Sequence, residues 1–496
     1  MSPHLGIERL AGYLRLNGHH VETYDTNLCK ALGHGIELTD KLNEKSWDII
    51  GFSIYEETMV EDIGNIGMAA KLCPHSLVIA GGPGAQYDYQ TVLDKSRARL
   101  VILGEGEKPL LALAEGKALE EIPGIIFRND NLPLTTDEFT QATEAVDYEG
   151  IPYEVYWDYY LDLYSQNGGE ITELIHQQIH TVRVYARNYC PMGCRFCSST
   201  HFLDDACGRR SALAGISPDR LLRLLQRIVK AHPRVKTVYF TDDDFCSKRE
   251  DLLEFLGLLI SARLPLTFIS FARIDDLDDE VISQMVKAGF RTLNIGIESF
   301  RPEILKEYNK KLDLERINRT LEMIRRHGLA PAATFILCSP ESKLEWIEQT
   351  ARRILDEADR HTLQPGVNVT VQPQKGSRFH EEYADIEIQL IPIPGTRHFF
   401  KREHFIQCTD LEVREFQFRF LKHWANYMER INSAEGSGHL NSQSQSLLKL
   451  KQVLEVIEEI KAERGRLDQL RHIHMSAAEK NELWKILQKY SYGASL

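Results

Sequence analysis

Arg187-Asn188-Tyr189-Cys190-Pro191-Met192-Gly193-Cys194-Arg195-Phe196-Cys197 is the stretch on which the reading of this chain turns. Its thiols are spaced CxxxCxxC directly after an apolar strand, so all three point into one concave loop rather than along a helix face. Such a loop holds three corners of an iron-sulfur cubane. A four-iron cluster is usually completed by four thiolates, and a structural zinc likewise takes four closed ligands. Three local ligands leave one iron open. The zinc alternative would need Cys207 or His201 to complete its set.

Outward from this loop the pattern is a repeating β/α series. Strands are expected near 182–187, 235–241, 266–271, 292–297, 332–338 and 367–372, separated by helices such as the one opening at Ser217-Pro218, with Leu221, Leu224, Leu225 and Ile228 on one face. Six β/α units make a partial (β/α)6 barrel with its site at the strands' carboxyl ends. Polar residues stand at that rim: Asp242, Asp243 and Asp244 after the second strand, Arg273 after the third, and Glu298 in Gly296-Ile297-Glu298-Ser299 after the fourth. Singly, an Asp or Arg at a strand end is most often a cap or a surface ion pair.

With this loop and rim the chain resembles the radical S-adenosylmethionine (SAM) superfamily. The resemblance implies a 4Fe-4S cluster on Cys190, Cys194 and Cys197, with SAM bound through its amino and carboxylate groups to the open iron. It also implies an external electron donor such as flavodoxin or ferredoxin. Phe196 occupies the aromatic position that in the family lies near the adenine, and Gly193 permits the tight turn. Asp243 stands where the family meets the SAM amino group, although this chain is acidic there rather than glycine-rich. Arg273 is placed to pair with the SAM carboxylate in a bidentate contact, and Glu298 resembles the family's polar contact to the cofactor.

Residues 1–130 read as a Rossmann-like, doubly wound parallel sheet. A helix carries Ile7, Leu10, Ala11 and Leu14, a short strand is expected around 20–24, and apolar strands follow in 47–54, 76–84, 99–107 and 123–130. The chain opens on the helix, without the apolar strand that should precede it; either the start is truncated or another strand fills the gap. The turns Gly81-Gly82-Pro83-Gly84 and Gly104-Glu105-Gly106-Glu107 fall past strand carboxyl ends, where such sheets bind ligands. Beside a radical SAM barrel, this domain resembles the cobalamin-binding domain of the cobalamin-dependent branch. That implies cobalamin approached by Gly81, Gly82, Gly84, Gly104, Glu105 and Gly106, between the sheet and the barrel mouth. The family's DxHxxG motif is absent: His4 is followed by Leu5-Gly6 with no Asp before it, so no imidazole of this domain is expected on the cobalt. A nucleotide-binding or purely scaffolding sheet is the alternative.

Residues 131–180 are expected to form an aromatic-rich connector (Tyr153, Tyr156, Trp157, Tyr159, Tyr160, Tyr164) whose rings serve mainly core packing; 181–410 form the barrel and 411–496 a helical region. Within the last, 433–446 reads as a flexible linker and Leu447, Leu448, Leu450, Val453, Leu454 and Ile457 as an amphipathic packing helix.

Bulk composition supports this frame. Over 496 residues, 43% are hydrophobic and 26% charged, ordinary globular usage with room for about three domains. A net charge of −13 argues against a nucleic-acid partner, whose phosphates demand clustered Lys and Arg. No stretch has the apolar length of a membrane span or a signal-peptide core. Nine cysteines, three of them within eight positions, suit a metal cluster in the reducing cytoplasm better than a disulfide framework. The branch resemblance implies C-methylation of an unactivated carbon in a small-molecule biosynthetic intermediate. Its alternatives are cyclisation, ring contraction or oxidative rearrangement without methyl transfer, and a non-catalytic iron-sulfur sensor or scaffold.

Overall fold

The computed structural model describes residues 3–463 and 478, apart from 26–27, 30–36, 57, 128–145, 167, 330, 361–362, 373, 384–388, 393–398, 403–407 and 434–441. It divides into two compact units, Met1–Pro191 with Ser199–Ile269, and Met192–Ser198 with Ser270–Leu496.

The first unit contains a four-stranded sheet in the order β1 (Ile49–Ser53), β2 (Leu77–Gly81), β3 (Leu100–Ile102) and β4 (Ile125–Phe127). Alternation along the strands sorts side chains to two faces: Val78, Ala80 and Val101 join one core with Ile54, Ile66 and Val92, whereas Ile79, Leu100 and Ile102 join another with Leu113 and Ile125. β1, β2 and β3 are parallel, as expected, but β4 runs antiparallel to β3. The chain turns at Gly116 (φ 75°) and Gly124 (φ 80°) and pairs Ile125 with Ile102, so it enters β4 from the carboxyl edge. The sheet is therefore mixed. An alternating strand reads the same in either direction, which is why its sense was not legible.

The strand expected at 20–24 does not form either. Val21 gives its carbonyl to the Arg15 guanidinium at 3.0 Å, and Glu22 accepts from Lys41 at 2.6 Å, so side chains rather than a strand neighbour hold this segment.

The β/α series forms as read. β5 (Thr181–Val184), β6 (Thr237–Phe240), β7 (Thr267–Ala272), β8 (Phe290–Glu298), β9 (Ala332–Cys338) and β10 (Gln364–Thr370) stand in chain order in a six-stranded sheet. Local chemistry sets the helix ends. Ser217 and Pro218 open Pro218–Ala231, which buries Leu221, Leu224, Leu225 and Ile228. The Asp278 and Asp313 carboxylates cap the helices Asp279–Ala288 and Leu314–Arg326 by accepting from Val281 and Arg316 N–H, and Gly289 (φ 103°) ends the first of these. Of the aromatic connector, Tyr153, Tyr156 and Trp157 are buried on the helix Tyr153–Gln166.

A hairpin not foreseen, β11 (Gln389–Pro392) with β12 (Phe399–Arg402), precedes two long helices, Leu411–Ser433 and Ser442–Ala462. The second helix begins inside the stretch read as a linker, where Ser446 is buried with its Oγ accepting from Val367 N–H at 3.3 Å. Residues 434–441 of that stretch lie outside the described residues.

Candidate active site

The cysteine loop leaves β5 at its carboxyl end. In the first unit its base is set by Asp242, just past β6, whose Oδ1 accepts from the backbone N–H of Ala186 (2.7 Å) and Arg187. Arg187 in turn donates from Nε to Phe245 O at 2.9 Å. Burial pushes the Asp242 carboxyl up to about 7 against the pull of those two N–H groups. Cys190, half-buried, closes this part: its carbonyl accepts from Thr200 at 2.7 Å on the helix Ser199–Cys207.

Cys194 and Cys197 belong to the second unit, and the segment Tyr308-Asn309-Lys310 holds them. Gly193 sits at φ 70°, and its carbonyl accepts from Asn309 Nδ2 at 2.8 Å. Arg195 N–H donates to Tyr308 O at 3.1 Å, and Cys197 N–H to Cys194 O at 3.2 Å. Lys310 Nζ pairs with Glu298 Oε1 at 2.8 Å, both nearly buried. Burial raises the Cys194 thiol pKa; Lys310 and Arg273 oppose this and Glu298 adds to it. Lys310 is the residue sequence reasoning missed. Its signal was Asn-Lys between two helices, since Asn is a residue type that adopts the left-handed backbone seen at Asn309 (φ 53°).

None of the three cysteines is in a disulfide, and all three are half-buried. Among the described residues, no three His, Cys, Asp or Glu side chains converge as they would on a single ion. Cys207 and His201 are buried in the following helix. A four-iron cluster spreads its thiolates over separate irons, and three accessible thiols on one short, hydrogen-bonded loop suit it.

The remaining rim residues are placed as follows. The Phe196 ring meets Tyr308 edge-on at 5.0 Å, in a cluster with Ile304 and Phe379. Asp243 is open to solvent, yet ringed by protein closely enough that burial raises its pKa, with a Ser199 hydrogen bond opposing. Arg273 is already engaged by Asp275 at 2.6 Å. Glu298 closes β8 at a bulge with φ 66°, and a Cβ on Gly296 would lie 2.4 Å from its Oε1 and 2.5 Å from Lys310 Nζ, so a side chain there would displace the ends of this pair.

On the four-stranded sheet, Gly81, Gly82 and Gly104 are half-exposed at strand carboxyl ends, although a Cβ on Gly82 would lie 2.9 Å from Ile54 O. Gly84 is different: it is buried, and a Cβ there would lie 2.6 Å from Tyr55 C. Gly106 packs on Leu10, and Gly104 N–H donates to Gln86 Oε1 at 2.9 Å. Glu105 is pushed up to about 7 by burial, partly offset by Arg9. His4 caps the first helix: Nδ1 accepts from Ile7 N–H at 3.2 Å, and burial lowers its pKa. In the neutral ring this puts the proton on Nε2, 3.5 Å from Ser53 Oγ, so neither nitrogen offers a lone pair to a metal.

Fold and site thus define an α/β sheet joined to a β/α barrel with a three-cysteine loop. Residues 184–354 match the Radical SAM superfamily and residues 2–114 match the B12 binding domain. The chain thus carries a B12-binding domain ahead of a radical SAM domain. It is 24% identical to an uncharacterized methyltransferase of Pyrococcus horikoshii over 71% of this chain and 72% of that one. It is 23% identical to cytidylyl-2-hydroxyethylphosphonate methyltransferase of Streptomyces wedmorensis (61% and 60%). It is 21% identical to anaerobic magnesium-protoporphyrin IX monomethyl ester cyclase of Rubrivivax gelatinosus (71% and 62%). The matches thus span less than two thirds of the latter two proteins. In fold it is similar to the radical S-adenosylmethionine methyltransferase TsrM of Kitasatospora setae with tryptophan and a SAM analog bound, at TM-score 0.64, 15% identity and 94% and 97% coverage. It is likewise similar to the cobalamin-dependent S-adenosylmethionine radical enzyme OxsB with aqua-cobalamin bound, at TM-score 0.66, 15% identity and 99% and 78% coverage.

Proposed function

We propose that this protein is a cobalamin-dependent radical SAM methyltransferase that C-methylates an unactivated carbon of a small-molecule biosynthetic intermediate. The observation that carries this is the pairing, in one chain, of the Cys190, Cys194 and Cys197 loop with a B12-binding domain. Methyltransferases among the relatives support it. When bound, the cluster, SAM and cobalamin supply one-electron reduction, a hydrogen-abstracting radical and a transferable methyl group.

The chain's own residues bind and orient. Cys190, Cys194 and Cys197 hold the cluster; Asp242, Thr200 and Asn309 fix the loop's shape. Arg273, Glu298 and Asp243 are the candidate SAM contacts, with Phe196 at the adenine. Arg273 would exchange its contact with Asp275 for the SAM carboxylate. Gly81, Gly82, Gly104, Glu105 and Gly106 shape the cobalamin edge of the sheet, with Gly84 packed beneath it against Tyr55. An electron donor of the flavodoxin or ferredoxin type completes the reaction, and no helix among the described residues is long and apolar enough to cross a membrane.

The cyclase relatives of Rubrivivax gelatinosus and Cereibacter sphaeroides favour a second reading, cyclisation or rearrangement without methyl transfer. Product analysis decides between them. S-adenosylhomocysteine with a product heavier by one methylene supports methylation. Deoxyadenosine with a dehydrogenated or rearranged product supports the second reading. An intact cluster that never cleaves SAM, with or without candidate substrates, would leave only a sensor or scaffold.

A further inference from the structure

Tyr308-Asn309-Lys310 gathers an unusual number of backbone concessions. Asn309 holds φ 53° and Glu298 holds φ 66°, both left-handed for residues with a Cβ, and the ends of the Glu298 and Lys310 side chains lie over Gly296. Such strain persists where the surroundings enforce it, and it concentrates at functional sites. What it secures here is a buried ion pair: the side chains of Lys310 and Glu298 are only 10% and 8% exposed, 2.8 Å apart. As a device for stability alone this pair is a poor choice, since apolar residues of the same volume commonly do as well or better.

The pair lies beside the cysteine loop. Asn309 Nδ2 holds Gly193 O, the residue before Cys194, and the next side chain along is that of Lys310. We propose that Asn309 and Lys310 are positioning residues for the iron-sulfur cluster, Asn309 fixing the Cys194 corner of the loop and Lys310 holding a buried positive charge beside it that makes the cluster easier to reduce. This rests on the cluster assignment proposed above.

The physical ground is charge. Reduction adds one electron from a low-potential donor to a cluster already made negative by its thiolates, with no bond made and no proton moved. A fixed ammonium in a poorly hydrated setting stabilises that added charge more than it would in water. The Lys310 ammonium is held by the Glu298 carboxylate at 2.8 Å, a geometry that keeps it charged. Glu298 holds Lys310 in place through Oε1, and its negative charge partly cancels the ammonium; a Gln there keeps an oxygen for Lys310 and drops only the charge.

The test is an anaerobic redox titration of the reconstituted full chain, following the reduced cluster by electron paramagnetic resonance with dithionite as reductant. At the wild-type midpoint, Lys310→Met should lower the ratio of reduced to oxidised cluster about tenfold, equivalent to ~1.4 kcal/mol, with iron content unchanged. Lys310→Arg should stay near wild type. Glu298→Gln, which removes the negative partner, should move the midpoint the opposite way. An unshifted midpoint in Lys310→Met with its cluster intact would overturn the inference, as would Lys310→Met and Glu298→Gln shifting in the same direction. If Lys310→Met takes up no cluster, the Glu298→Gln shift alone decides, and no rise there overturns it. Failure of the wild-type chain to take up iron and sulfide would instead overturn the functional reading beneath it.

Discussion

Replacing Gly84 by Ala separates two roles that a glycine in this position could have, packing against its own chain or opening space for cobalamin. The added Cβ would lie 2.6 Å from Tyr55 C, 2.8 Å from Glu56 N and 3.0 Å from Ile54 O. These are backbone atoms and cannot rotate aside. Moving them would strain the bonds Gly84 N–H to Ile54 O (2.9 Å) and Ile54 N–H to Gly81 O (2.8 Å), which tie the end of β1 to the turn after β2. Overpacking costs about 1–3 kcal/mol and a weakened hydrogen bond about 1 kcal/mol, so a loss of about 2–3 kcal/mol is expected. Hydrogen exchange reads that loss locally, as exchange ~30- to 150-fold faster in cobalamin-free protein, in peptides covering 49–56 and 77–86. Unchanged exchange, with cobalamin affinity lowered instead, would refute the packing argument and return Gly84 to the ligand edge.

Arg273→Ala and Glu298→Gln should each weaken SAM binding about tenfold or more, as expected for charge-assisted contacts worth ~1.5–3 kcal/mol, with cluster absorbance retained; unchanged SAM affinity in both would remove the strand-end assignments. The Asp242 carboxyl titrates near 7 in the fold, above its unfolded value of about 3.9, so the folded state holds the proton longer and Asp242's contribution to stability is lost as pH rises from about 4 through about 7. Asp242→Asn keeps an oxygen for Ala186 and Arg187 N–H and should flatten that decline in denaturation midpoints measured across the same window; parallel curves for the two proteins would contradict it. His4→Ala should cost about 1 kcal/mol of helix-cap stability yet leave the cob(II)alamin paramagnetic spectrum without axial-nitrogen splitting, as in the wild type. Clear nitrogen splitting that vanishes in the variant would make His4 a ligand after all.

Much of the fold was legible because its signals are local. Alternation in Val78-Ile79-Ala80 sorts two cores, Ser217-Pro218 opens a helix, and CxxxCxxC after a strand places three thiols on one loop. The sense of β4 was not legible, because alternation carries no direction. Nor was the fate of 20–24, whose partners Arg15 and Lys41 are set by tertiary contacts. The glycine turns show a subtler limit: sequence marks Gly84 and Gly81 alike, and only the structure shows that Tyr55 fills the space at the first while the second is half-exposed. Lys310 was hidden for a similar reason. It lies 116 positions beyond Cys194, and only the fold brings its loop, through Asn309 and Gly193, to the cysteines.

The most direct measurement is iron and sulfide analysis of the anaerobically reconstituted protein, with paramagnetic resonance of the reduced cluster before and after SAM is added. The expected result is about four irons per chain, a spectrum that SAM alters, and loss of both in Cys190→Ala, Cys194→Ala and Cys197→Ala while the fold survives. One tightly held zinc with no iron, or a cluster whose spectrum SAM leaves untouched, would contradict it.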